Sequence, residues 1–246
     1  GRESTPESVA FTTTLVLPVV GHAPAVSGTA GSFTNGVATG AAFAWPEVGI
    51  MTLVPHIADG NYLNAGDLPG TATGNVGRFI PNSLAVAFNA PVFGTACSAG
   101  SFSYVGQPIT YTVAPVITVT AQAFGGATTQ NYTGSLFRLT NASLTGRAYT
   151  PTPASPALDV SGLPPTTTDP SIVDLGTGQG TLTFSAGSGL AFSRSSALAP
   201  FAANIALSIN IIDLDSITAA NPVTFGKITA VRNSPREMQF ALKLYF

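Results

Sequence analysis

Apolar and β-branched residues recur along this chain in short runs bounded by Gly, Pro, Asn and Ser, the pattern of strands rather than helices. The runs fall at 9–19, 37–45, 48–54, 84–88, 101–105, 109–113, 116–124, 135–139, 180–185, 205–212, 223–231 and 238–246. No stretch longer than about ten residues carries a 3.6-residue apolar period. In the last run Gln239, Ala241, Lys243 and Tyr245 alternate with Phe240, Leu242, Leu244 and Phe246, as in a strand with one face buried. Strands about 8–12 residues apart with turn residues between them predict an all-β chain: tandem immunoglobulin-like antiparallel β-sandwiches with very little helix.

Two places read as joints. Gly77-Arg78-Phe79-Ile80-Pro81 divides a β-sandwich module at 1–80 from a larger sandwich region at 81–246. Within the second, the Pro/Thr-rich segment 161–170 is a loop, since its prolines exclude a central strand. A weak echo between 33–49 and 176–189, each a Gly-rich turn leading to a Phe, hints at related modules.

Charge changes the picture. Only 8% of the 246 residues are Asp, Glu, Lys or Arg, and none between Asp67 and Asp159 is acidic. Proton-transfer chemistry needs carboxylates, histidines or metals in groups, so the expectation is a structural or adhesive protein and not an enzyme. A net charge of −2 with scattered basic residues leaves no footprint for nucleic acid. The run 9–20 is interrupted by Thr12, Thr13, Thr14 and Pro18, and no transmembrane helix or leader peptide is expected. The alternating last strand also fits an outer-membrane barrel, but repeated strands of about ten residues with aromatic girdles are missing. The single cysteine, Cys97, is either a buried apolar residue or one whose partner lies outside this segment or on another chain.

Between positions 116 and 134, Val119, Ala121, Gly125, Tyr132 and Gly134 form a pattern that resembles the middle of bacterial immunoglobulin-like domains. Further pieces follow in order: 46–53, Asn61-Tyr62-Leu63, 76–81, 102–108, 180–184, Asp213-Leu214-Asp215 and Phe225-Gly226. Together they resemble the C-terminal domain of MshQ-type proteins of the mannose-sensitive haemagglutinin pilus locus. The resemblance implies an exported β protein on a bacterial cell surface, tied to pili or filaments, with no catalytic residues to carry over. The chain departs from that pattern at Pro81-Asn82-Ser83-Leu84, where Pro-Asp-His-Phe is usual, and at Ser216, where a glycine is usual.

Candidate chemistry is sparse. Asp213 and Asp215, at a strand end, offer hard oxygen ligands for Ca²⁺ or form a solvated turn. Glu47 is expected to pair with Arg78, and Arg78 either braces the joint between blocks by bonding carbonyls of the next module or lies on the surface. His22 and His56 stand apart from each other and from any Asp-Ser pair, and read as loop residues rather than ligands. Asn131-Tyr132-Thr133 and Asn141-Ala142-Ser143 match glycosylation sequons. Scarce charge leaves strand edges unguarded, so self-association or pairing with pilus or filament subunits is expected. It would run through the Phe11, Leu15, Leu17 row or the Phe240, Leu242, Leu244, Phe246 row. The alternative is a carbohydrate-binding adhesin using Trp45, Tyr62, Tyr104 and Tyr132. No phosphate loop, zinc spacing or nucleophile elbow is present.

Overall fold

The computed structural model describes residues 7–31, 33–35, 37–94, 103–152, 154–193, 201, 203–219, 223–224 and 242–243. Of these residues strand accounts for 47% and helix for 5%, an all-β structure. In order the strands are β1 (Val9–Leu17), β2 (Ser27–Ala30), β3 (Thr39–Ala44), β4 (Gly49–Ile57), β5 (Val76–Phe79) and β6 (Ser83–Phe88). There follow β7 (Val92–Phe93), β8 (Ile109–Val113), β9 (Val116–Gln122), β10 (Leu144–Thr152), β11 (Leu158–Asp159) and β12 (Ser171–Asp174). The series ends with β13 (Gln179–Thr183), β14 (Gly187–Phe192), β15 (Asn204–Ile211), β16 (Val223–Thr224) and β17 (Leu242–Lys243).

Five antiparallel sheets result, in the orders β1-β4-β5, β17-β3-β2, β12-β13-β9-β6, β10-β15-β16 and β11-β14-β8-β7. The main core lies between the third and fourth. Leu84 of β6, Ile117, Val119 and Ala121 of β9 and Leu182 of β13 meet Leu207, Ile209 and Ile211 of β15. Every second residue of β9 is buried, the two-residue period that its Val/Thr alternation dictates. A smaller core joins Trp45, Met51 and Leu53 to Phe11, Leu15, Val26, Val76 and Phe79. Val48 and Leu17 lie against the main core, so the first five strands are packed onto the rest.

β4 holds Pro55 although it is flanked on both sides. Proline lacks the N–H a central strand needs. It is accommodated because β5 pairs only with Gly49, Ile50 and Met51.

Several expectations shift. The run 135–139 is not a strand: Gly134–Leu136 forms a 3-10 turn, and Leu136 and Leu139 plug the core from a loop. Ser103, Tyr104 and Val105 form no strand; positions 101–102 lie outside the described residues. The loop at 161–170 holds turns and no strand. Strands β2, β5, β7, β10, β11, β12 and β14 arise where no apolar run marks them. β10, Leu-Thr-Gly-Arg-Ala-Tyr-Thr-Pro-Thr, is half polar and bulged between Thr145 and Ala148, which hides its period. Of the runs at 223–231 and 238–246, only Val223, Thr224, Leu242 and Lys243 are described. Leu242 pairs with Gly40 of the same chain; Phe240, Leu244, Phe246 and Cys97 lie outside the described residues.

Candidate functional site

The polar chemistry gathers where the small core meets the large one. Glu47, in the bend between β3 and β4, has a fully buried side chain. Its Oε1 accepts from His22 Nδ1 at 2.9 Å and the Gln130 backbone N–H at 2.8 Å. Its Oε2 accepts from the backbone N–H groups of Val48 and Asn131, both at 3.1 Å. Four donors around one carboxylate satisfy a group that would otherwise be costly to bury.

Asn131 completes this side. Its amide donates to the His22 carbonyl and accepts from the His22 N–H, both at 2.7 Å, as a neighbouring strand would. The segment 130–134 therefore binds the loop between β1 and β2 through the Asn131 side chain.

The next residue turns the other way. Tyr132 is 1% exposed, and its hydroxyl donates to Asp213 Oδ2 at 2.9 Å. Asp213 Oδ1 accepts from the Asp215 and Ile217 N–H groups at 2.9 Å each, closing the turn after β15. Burial raises the Asp213 carboxyl above its usual range, opposed by these three hydrogen bonds. Burial, then the Asp213 charge, pushes the Tyr132 phenol upward, keeping it a donor. Asp215 binds Arg78 of β5, and Arg138 Nε lies 3.8 Å from its other oxygen. Beyond Tyr132, Thr133 Oγ1 and the Gly134 N–H donate to Asp174 Oδ2 at 2.8 and 2.7 Å. Three carboxylates from distant parts of the chain thus hold one five-residue segment.

This geometry corrects several expectations. Glu47 takes His22, not Arg78, as its partner; His22 lies in a loop as expected, whereas His56 lies in β4. Arg78 braces the joint through the Asp215 carboxylate rather than through carbonyls. Asp213 and Asp215 share a turn, but each is directed at donors of the protein. Among the described residues no group of three or more His, Cys, Asp or Glu side chains is found. His56 Nδ1 lies 3.0 Å from the Ile57 carbonyl and 3.9 Å from Asp67.

The aromatic set for glycans is dispersed. Trp45 is buried, with its indole N–H on the Pro24 carbonyl, and Tyr132 is buried on Asp213, so neither can meet a ligand. Tyr62 and Tyr104 are exposed. Phe11 and Leu15 pack onto the small core and Leu17 onto the large one. The buried Asn131 cannot present a sequon, and Asn141 donates to the Pro170 carbonyl.

Residues 47–235 match the family described as DUF6701, third domain. The chain belongs to this family. No curated protein and no solved structure matches it.

The DUF6701 third-domain span holds Glu47, Arg78, Asn131, Tyr132, Asp174, Asp213 and Asp215. It also holds a second polar cluster that the sequence did not announce. Arg147 lies 2.8 Å from Asp169 Oδ2, donates to the Asp169 carbonyl and to the Tyr149 hydroxyl, and stacks over the Tyr149 and Phe184 rings. Asp169 Oδ1 accepts from the Ser185 N–H at 2.7 Å. This pair pins the loop after 161 onto β10 and the end of β13. The signal available beforehand was scarcity: with 11 acidic residues in the chain, those placed among apolar runs need partners.

Proposed function

We propose that this DUF6701 third domain is a non-enzymatic structural module of a bacterial cell surface. It builds or decorates a pilus or extracellular filament through β-strand edge contacts, as its resemblance to MshQ-type proteins implies. The observation that supports this reading most is the joint itself. The buried acids Glu47 and Asp213 fix loops to one another, and a filament-forming protein that transmits force needs such fixed geometry between its β regions. Negative-stain electron microscopy of the concentrated protein tests it. Ordered oligomers or filaments are expected; dispersed single particles at every concentration would overturn it.

A second reading, a carbohydrate-binding adhesin, is favoured by one cleft. It measures about 440 Å³ and is lined by Phe88, Phe93, Tyr111, Asn89, Asn204 and Leu207 among others, with no charged side chain. The Phe93 and Tyr111 rings stack at 4.7 Å. A neutral cleft with aromatic walls and an amide suits an uncharged sugar. On this reading glycan-array binding is lost in Tyr111→Ala.

A further inference from the structure

The edges of the five sheets are guarded unequally. β10 carries a bulge, Arg147 and Pro151. β5 is four residues long and carries Arg78, and β12 ends on Asp174. β6 is bridged on its outer side by Ala219. β2 is short and irregular in register, and β7, β11, β16 and β17 are two residues each. Short edges, charges, prolines and bulges are the devices that keep sheets from pairing with other chains.

β1 has almost none of these. It is nine residues long, with no charge and no proline, and its ladder with β4 is regular from Val9 to Leu15, with one register shift confined to its end, before Leu17. Among the described residues its backbone hydrogen-bonds to β4 and to no other strand. Thr12, Thr14 and Val16 face solvent.

The sequence of β1 is also symmetric about its centre. Val-Ala-Phe-Thr-Thr-Thr-Leu-Val-Leu, laid antiparallel on itself about Thr13, sets Thr12 against Thr14, Phe11 against Leu15, and Val9 against Leu17. Every pair matches in polarity. Residues of one parity face one side of a sheet, so the core-facing row of one copy continues that of the other. An uncharged, self-matched edge fits a second copy of itself better than it fits a charged partner.

We propose that two copies of this chain pair antiparallel through β1 about Thr13, joining two β1-β4-β5 sheets into one six-stranded sheet. This rests on the strand-edge reading of the function and selects the edge that carries it.

Sedimentation velocity of the full chain over a concentration series tests it. In the double variant Thr12→Lys, Thr14→Lys, position 12 of each copy faces position 14 of the other, so like charges oppose one another. The dissociation constant should rise about tenfold or more. In Thr12→Lys, Thr14→Glu the facing charges are opposite, and association should return to within about threefold of the parent. Both positions are exposed, so melting temperatures should stay near the parent's. Independently, Thr13→Cys with Cys97→Ser should form a disulfide-linked dimer on mild oxidation. If the parent associates but the lysine pair leaves association unchanged, or the Thr13→Cys dimer fails to form, the β1 pairing is wrong while edge assembly survives. A parent that stays monomeric at the highest concentration overturns both.

Discussion

Asp213 and Glu47 are both buried acids, yet their burial is resolved differently. Glu47 is ringed by four donors, three of them backbone N–H groups. Asp213 has three donors, and burial still raises its carboxyl above the ordinary 3.8. The sign of the consequence follows from linkage. A carboxyl raised in the folded state holds its proton to higher pH than in the unfolded chain. Its contribution to stability is complete below 3.8 and is lost as pH rises through the folded value. The stability of the parent relative to Asp213→Asn should therefore fall as pH climbs from below 3.8 toward neutrality, then level off. Denaturant melts of the two proteins across that range check it, and a difference that grows with pH would contradict it. Little of this was legible residue by residue. Glu47 stands out in the sequence as a lone acid among apolar neighbours, and Arg78 looks like its natural partner. The actual partners are mostly peptide N–H groups, which carry no mark in the sequence, and a histidine brought in from the loop after β1.

At the scale of elements, legibility tracks apolar content. β9 and β13 are visible because they are central and their buried faces are uniformly apolar or small. β12 and β10 are edge strands with exposed alternate positions, so their sequences need only suit half a strand. The turn at Gly134–Leu136 reads as a strand because Leu136 and Leu139 are as apolar as strand residues; they fill the core from a loop. Central and edge positions should also differ energetically. Ile117 in β9 is fully buried, and Ile117→Ala should cost about 2–5 kcal/mol through lost burial and an unfilled cavity. Val173 in edge strand β12 is 48% exposed, and Val173→Ala should cost under about 1 kcal/mol. Urea denaturation of both variants checks the contrast; equal losses would mean that β12 is covered in solution.

For the whole molecule the question is whether two cores behave as one. The small core is stitched to the large by Val48, Leu17, the Glu47 and Asn131 bonds, and the Arg78–Asp215 pair. Calorimetry of the parent should give a single cooperative transition. Glu47→Ala strands the N–H groups of Gln130, Asn131 and Val48 and releases His22. The loss should be about 3 kcal/mol, taken mostly from the small core, so an earlier transition should separate from the main one. If Glu47→Ala melts in one step at the parent's temperature, the joint does not couple the cores.

The pairing of β1 with β4 has a further consequence. The stretch that matches the family begins at Glu47, whereas β1 and His22 lie before it. The stretch that matches the family and the unit that folds here are therefore offset. Met51, Leu53 and the Glu47 carboxylate fall within the matched stretch, while the strand and the imidazole that complete them come from upstream sequence. Excised at its family boundaries, the domain would lose β1, β2, β3 and Trp45 and uncover the long edge of β4. Supplied in trans as a peptide, residues 7–46 would then act as the missing part of a split protein.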